Sequence, residues 1–182
     1  MTVMRYQTIH AIIFVFITFV SVAGCSLFGE GKLERLFPGD GPSLVHLDST
    51  EYGIAEDGEV DIAVSVTNPT DETIYASGNG TLRFELEKLV DGDWVLAFSF
   101  GHILIGGPPL EISANETVSI SYSLGYADRP NDHNSGWLID EVAGDYRVVV
   151  ELQAERGNEG NSYEEEQLPL GYRTSSTFEI HE

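Results

Sequence analysis

The chain has 182 residues, 42% of them apolar, and carries 30 acids against 9 lysines and arginines, for a formal net charge of −21. A polyanion of that strength is repelled by nucleic acid and by anionic lipid headgroups, which excludes both as ligands. A single cysteine forms no disulfide within the chain, so the fold must rest on apolar burial alone.

Residues 1–7 contain Arg5 and no acid, and the run Ala11-Ile12-Ile13-Phe14-Val15-Phe16-Ile17-Thr18-Phe19-Val20 follows. That run is shorter than a bilayer-spanning helix requires. A span over residues 9–27 and ordinary secretion are the rival readings, the span opposed by His10 near its start and by Gly24, Cys25 and Ser26 near its end. The lone cysteine stands directly behind the run, in Val22-Ala23-Gly24-Cys25. Small residues before a cysteine suit a lipoprotein signal peptidase, which must fit extended chain into a narrow site beside a thiol already carrying diacylglycerol. These four residues resemble the bacterial lipobox. The resemblance implies loss of residues 1–24 and a mature chain beginning at lipid-modified Cys25. Diacylglycerol and acyl chains there would hold the protein to a membrane, on its exported side, without spanning it. In a cell with two membranes, Ser26 at the second mature position favours the outer one. No other cofactor is expected.

Removing residues 1–24 takes away one positive charge, so the mature chain of 158 residues carries −22. That length suits one domain with a core. The acids are spread over every segment and only two lysines occur, Lys32 and Lys88. This pattern points to a salt-adapted, generally solvated surface rather than to one acidic site. Residues 25–42 hold four glycines and two prolines and are expected to be a flexible tether reaching about 20–25 Å, with one helical turn at residues 32–37.

From residue 43 to residue 182 the apolar period is two. Val60, Ile62, Val64 and Val66 alternate with Asp61, Ala63, Ser65 and Thr67, up to the turn Asn68-Pro69-Thr70-Asp71. Leu82, Phe84 and Leu86 alternate with acids and Arg83. Asp91-Gly92 then predicts a hairpin returning from Trp94 to Phe100. Val118, Ile120, Tyr122 and Leu124 form the cleanest alternation, followed by Tyr146, Val148, Val150 and Leu152 and by Phe178 and Ile180. Weaker strands are expected at residues 43–47, 51–54 and 73–76, and a turn or two of helix near residues 137–142. Seven to nine short strands without crossover helices predict an all-β antiparallel sandwich.

Several segments resemble the bacterial immunoglobulin-like domain of small exported lipoproteins and, more distantly, the Ig-like bacterial intracellular proteinase inhibitors. They are Val64-Ser65-Val66-Thr67-Asn68-Pro69-Thr70-Asp71, Phe84-Glu85-Leu86-Glu87-Lys88-Leu89 with Gly92 and Trp94, Ile112-Ser113-Ala114-Asn115-Glu116-Thr117, and Ala143-Gly144-Asp145-Tyr146-Arg147-Val148. The resemblance covers residues 51–180 and implies an Ig-like β-sandwich in an exported setting, with no catalytic residues. It departs at Ala114-Asn115 and Ala143-Gly144, where the family places Pro-Gly, and in an acidic insertion at residues 156–174. Gly144-Asp145-Tyr146-Arg147-Val148 also resembles a tyrosine corner, in which Tyr146 buries its ring and returns its hydroxyl to upstream backbone. Trp94 is expected in the core.

No histidine pair has metal-ligand spacing, and no Gly-x-Ser-x-Gly elbow or phosphate-binding glycine loop occurs. Asp128, Asn131, Asp132 and Asn134 offer hard oxygens for calcium, but not at EF-hand spacing, and the same residue types build ordinary long turns. Glu164, Glu165 and Glu166 are a candidate contact for a basic partner. The expectation is a non-catalytic envelope module, bound to the membrane through its lipid and to an unidentified envelope protein. Its contact loops are sought at residues 101–109, 128–136 and 156–174. A loop-docking protease inhibitor and a calcium-dependent adhesion module are the alternatives. An enzyme lacks a nucleophile–base set.

Overall fold

The computed structural model describes residues 31–76, 80–100, 108–125, 135–156 and 167–182. Lys32–Glu182 is one compact unit. In chain order its elements are α1 (Lys32–Leu36), β1 (Val45–Leu47), β2 (Glu51–Gly53), β3 (Val60–Thr67), β4 (Ile74–Ala76), β5 (Phe84–Val90) and β6 (Asp93–Ser99). They continue with β7 (Leu110–Ile112), β8 (Thr117–Leu124), β9 (Gly136–Trp137), β10 (Gly144–Val150), β11 (Leu152–Gln153), α2 (Leu170–Arg173) and β12 (Phe178–His181). The fold is all-β, as the period of two requires.

Three sheets carry the chain. The order β1-β3-β8 makes one, β2-β12-β10-β5-β6-β9 the second, and β11-β4-β7 a short third. Every pairing is antiparallel except that β2 runs parallel to β12, with Ile180 opposite Tyr52. Along β3, Val60, Ile62, Val64 and Val66 are buried and the residues between them are not. Inner residues of the second sheet, including Leu86, Tyr146, Val148 and Ile180, join them in one apolar cluster. Rings bridge between sheets: Phe84 on β5 meets Tyr122 on β8 edge-on at 5.2 Å, a favourable T-shaped contact.

The turns obey local chemistry. Asp91 (φ 53°) and Gly92 (φ 96°) both adopt positive φ, which is what a two-residue hairpin turn with the strands' twist demands. Asn68, expected in a turn, is wholly buried. Its Nδ2 donates to Glu72 O at 2.7 Å and to Ile112 O and Ser113 O at 3.0 Å, while Oδ1 accepts from Thr70 N at 3.1 Å and Thr70 Oγ1 at 2.8 Å. One side chain thus fastens β3, β4 and β7 together.

Three expectations are corrected. The tether does not extend to Pro42: residues 32–42 are packed on the body, with Phe37 buried and its ring at 5.1 Å from Tyr172. The residues expected to be helical near 137–142 begin as strand β9, with Trp137 in the core, because Trp137 packs edge-on against Phe98 at 5.2 Å. Trp94 is not core. The bulge between Leu86 and Glu87 and the pairing of Leu89 with Trp94 put it on the outer face of β6, only partly covered.

Candidate functional site

The outer face of the second sheet is the most distinctive surface among the described residues. Glu85, Glu87 and Leu89 alternate outward along β5, opposite the inward Phe84, Leu86 and Lys88. Across the hairpin, Leu89 is paired with Trp94 and Glu87 with Leu96, and β10 sets Arg147 opposite Glu87. Arg147 Nε binds the Glu87 carboxylate at 2.6 Å, and its guanidinium carbon sits 4.5 Å above the Trp94 ring. A cation over an indole face is an attractive arrangement, and it pins both side chains flat. Leu96 and Leu138 stay 45% and 48% exposed beside them. The result is an apolar strip of Leu89, Trp94, Leu96 and Leu138 with carboxylates around it.

Glu85 completes the acidic margin. Burial raises its pKa first, with the charges of Glu151 and Glu87 adding to the effect and Arg173 opposing it. At the far end of the same hairpin, Val90 and Val95 are also exposed. Backbone groups of β6 are paired on their outer side only where β9 meets Phe98 and Ser99 and where Leu138 N donates to Ala97 O at 2.9 Å. Among the described residues, no strand pairs that side of residues 93–96.

Beneath the strip, buried side chains are tied to backbone. Tyr146 is wholly buried and its hydroxyl donates to Val142 O, as a tyrosine corner requires. Lys88, 8% exposed, crosses beneath Gly144 and donates to Glu141 O at 2.7 Å. A Cβ on Gly144 would lie 2.7 Å from Lys88 Cε, and its φ of 143° disfavours side chains, so glycine is needed there.

The residues singled out in the sequence fall differently. Cys25, Asp128, Asn131, Asp132, Asn134, Glu164, Glu165 and Glu166 all lie outside the described residues, as do most of the three expected contact loops. The described residues near those loops have structural roles: Leu168 N donates to Leu152 O at 2.8 Å, and Gln167 bridges to Gln153. His46 and His181 are exposed. Among the described residues no three His, Cys, Asp or Glu side chains are grouped to hold a metal, and no helix is long and apolar enough to cross a membrane. The outer-face strip was missed, though it left a signal. Leu89-Val90 and Val95-Leu96 are adjacent apolar pairs that break the alternation, which means both faces of the hairpin end are apolar.

No family model matches the chain, and no curated protein matches it. Among solved structures, it is similar to a Pseudomonas fluorescens alkylpurine DNA glycosylase, AlkC, bound to DNA containing an abasic-site analogue. The identity is 8% and the TM-score 0.35, over 78% of this chain and 32% of that one. The chain therefore spans about a third of that protein's length, and a likeness this slight carries no argument about fold or activity.

Proposed function

We propose that this chain is a lipid-anchored envelope protein whose body is an Ig-like β-sandwich acting as a non-catalytic contact module. The lone Cys25 behind an apolar run, in Val22-Ala23-Gly24-Cys25, is the observation that carries the anchor. The Ig-like reading is supported by the strand order. β1 pairs with β3, which pairs on its other side with β8, while β2 lies parallel to the last strand in a sheet continued by β10, β5 and β6, which corresponds to an A strand divided between the two sheets. The Tyr146 corner agrees with it.

The contact face is the strip of Leu89, Trp94, Leu96 and Leu138. Its partner is a protein segment with apolar side chains flanked by lysine or arginine, since Glu85 shares the outward face of β5 with Leu89 and exposed Asp91 stands at the turn beside it, and complementary charge selects partners and speeds encounter. Two experiments test this. Mass spectrometry of the mature protein should find a lipidated Cys25 at its N terminus, and Cys25→Ser should leave the membrane fraction. Leu96→Asp should shift the melting temperature by no more than about 2 °C, as surface changes do, while abolishing recovery of any stoichiometric envelope partner. Unchanged recovery would remove the strip as the contact face.

A further inference from the structure

Residues 32–42 are held to the body by charge, by ring packing and by backbone. Lys32 Nζ lies 3.4 Å from the Glu72 carboxylate and donates to Thr73 O at 3.3 Å, and Arg35 binds the other oxygen of the same carboxylate. Phe37 is 2% exposed against Tyr172, whose hydroxyl donates to Pro38 O at 3.2 Å. Gly41 lies so close to that ring that an added Cβ would fall 2.1 Å from it. Leu44 N then donates to Tyr172 O at 2.8 Å.

Charge is also unequal along the body. At the end where β3 finishes and β4 begins, Lys32 and Arg35 share Glu72 and Arg156 lies 3.8 Å from Glu111 on β7, the strand paired with β4, so bases stand there among the exposed acids Glu34, Asp40, Asp71 and Glu116. The opposite end holds the Asp91-Gly92 turn and the segment before β3, with Glu56, Asp57, Asp91, Asp93, Asp140 and Glu141 all exposed. Its nearest lysine, Lys88, is buried.

We infer that residues 32–42 are a clasp that turns the α1 end of the body toward the lipid surface and the acidic Asp91-Gly92 end away from it. The inference rests on lipid attachment at Cys25. Seven peptide links join Cys25 to Lys32, at most about 25 Å of extended chain. A free segment as far as Ser43 would give 18 links, or about 65 Å. Seven-residue strands alone span about 23 Å, so inverting the body would use up the shorter link before any headgroup was cleared. Anionic headgroups favour the same orientation, since they repel the acidic end more strongly within a screening length of about 10 Å.

The test uses the full-length lipoprotein on vesicles containing anionic lipid. Lys32 and Arg35 are the first basic residues after Cys25, so trypsin cutting there frees the body. Glu72→Gln and Phe37→Ala should each speed that release at least about tenfold over the unaltered protein, because cleavage follows local opening. Glu72→Gln leaves the core whole and covers the case in which Phe37→Ala unfolds it. Dyes placed through Asp71→Cys and Asp93→Cys should transfer energy to headgroup acceptors strongly and weakly, respectively. Equal transfer from the two positions, or unaltered protein cut as fast as the variants, overturns the inference. A protein that does not float with the vesicles takes down the anchor reading and this orientation together, whereas one that floats with equal transfer loses the orientation alone.

Discussion

Glu85 shows how a single residue can work against the fold that holds it. Its carboxyl is partly buried beside Glu151 and Glu87, and all three influences raise its pKa above 4.5, against Arg173. A raised folded value means that the protonated form favours folding, and that this contribution is lost as pH rises through the folded pKa. Glu85→Gln is therefore expected to raise the melting temperature at pH 7 and to leave it unchanged at about pH 3.5, where both states bind the proton. A lower melting temperature at pH 7 would contradict the assignment. Asn68 is the opposite case. Its side chain answers five backbone and hydroxyl groups in the interior, and losing it takes the amide donor from the buried Ile112 O and the acceptor from Thr70 N. Asn68→Ala should cost about 2–4 kcal/mol, read from the urea midpoint at unchanged m-value. A loss below about 0.5 kcal/mol would mean water replaces the amide.

At the scale of elements, α1 depends on one acid. Arg35 lowers the Glu72 pKa through its hydrogen bond, burial opposes this, and Lys32 adds a second favourable hydrogen bond. A depressed folded value gives stability that is present above the unfolded pKa and lost as pH falls through the folded one. The Phe37 amide, bonded to Leu33 O at 2.8 Å, should then lose exchange protection below about pH 4, after correction for intrinsic rates, before β3 and β10 do. Simultaneous loss would make the segment one cooperative unit with the sheets. The same segment marks the limit of what could be read beforehand. The alternations of β3, β5 and β8 and the Asp91-Gly92 turn were legible because a half-buried strand must repeat every two residues. Strands β7, β9 and β11 have two or three residues each, too few to show a period. Glycines and prolines around Phe37 read as a tether because composition reports flexibility but not a partner ring such as Tyr172, 135 positions along the chain. Leu33, Leu36 and Phe37 do sit at helical spacing, a pattern that burial on the body accounts for. For the contact face, the broken alternation at Leu89-Val90 was legible, while the placement of Trp94 needed the bulge at Leu86.

For the whole molecule the dominant fact is charge. The chain carries a formal net charge of −21, and the described residues hold four ion pairs, two of which share Glu72. Folding gathers the remaining acids into a smaller volume, so repulsion among them opposes the compact state. Salt weakens that repulsion: the screening length falls from about 10 Å at 0.1 M to about 3 Å at 1 M. The exposed pairs among these give up little in return, since each contributes about 0–1 kcal/mol. The melting temperature of the body should therefore climb by several degrees between about 0.05 and 2 M NaCl. Most of the rise should come below about 0.5 M, where the screening length shortens fastest, and KCl should match NaCl. Sulfate should exceed both, because it also strengthens apolar burial by exclusion from the surface. Sucrose at equal osmolality separates the two causes, since it is excluded but does not screen. A melting temperature that stays flat in NaCl while rising in sulfate would mean the acids are too far apart to repel. The acid excess would then have to be explained by what the protein binds.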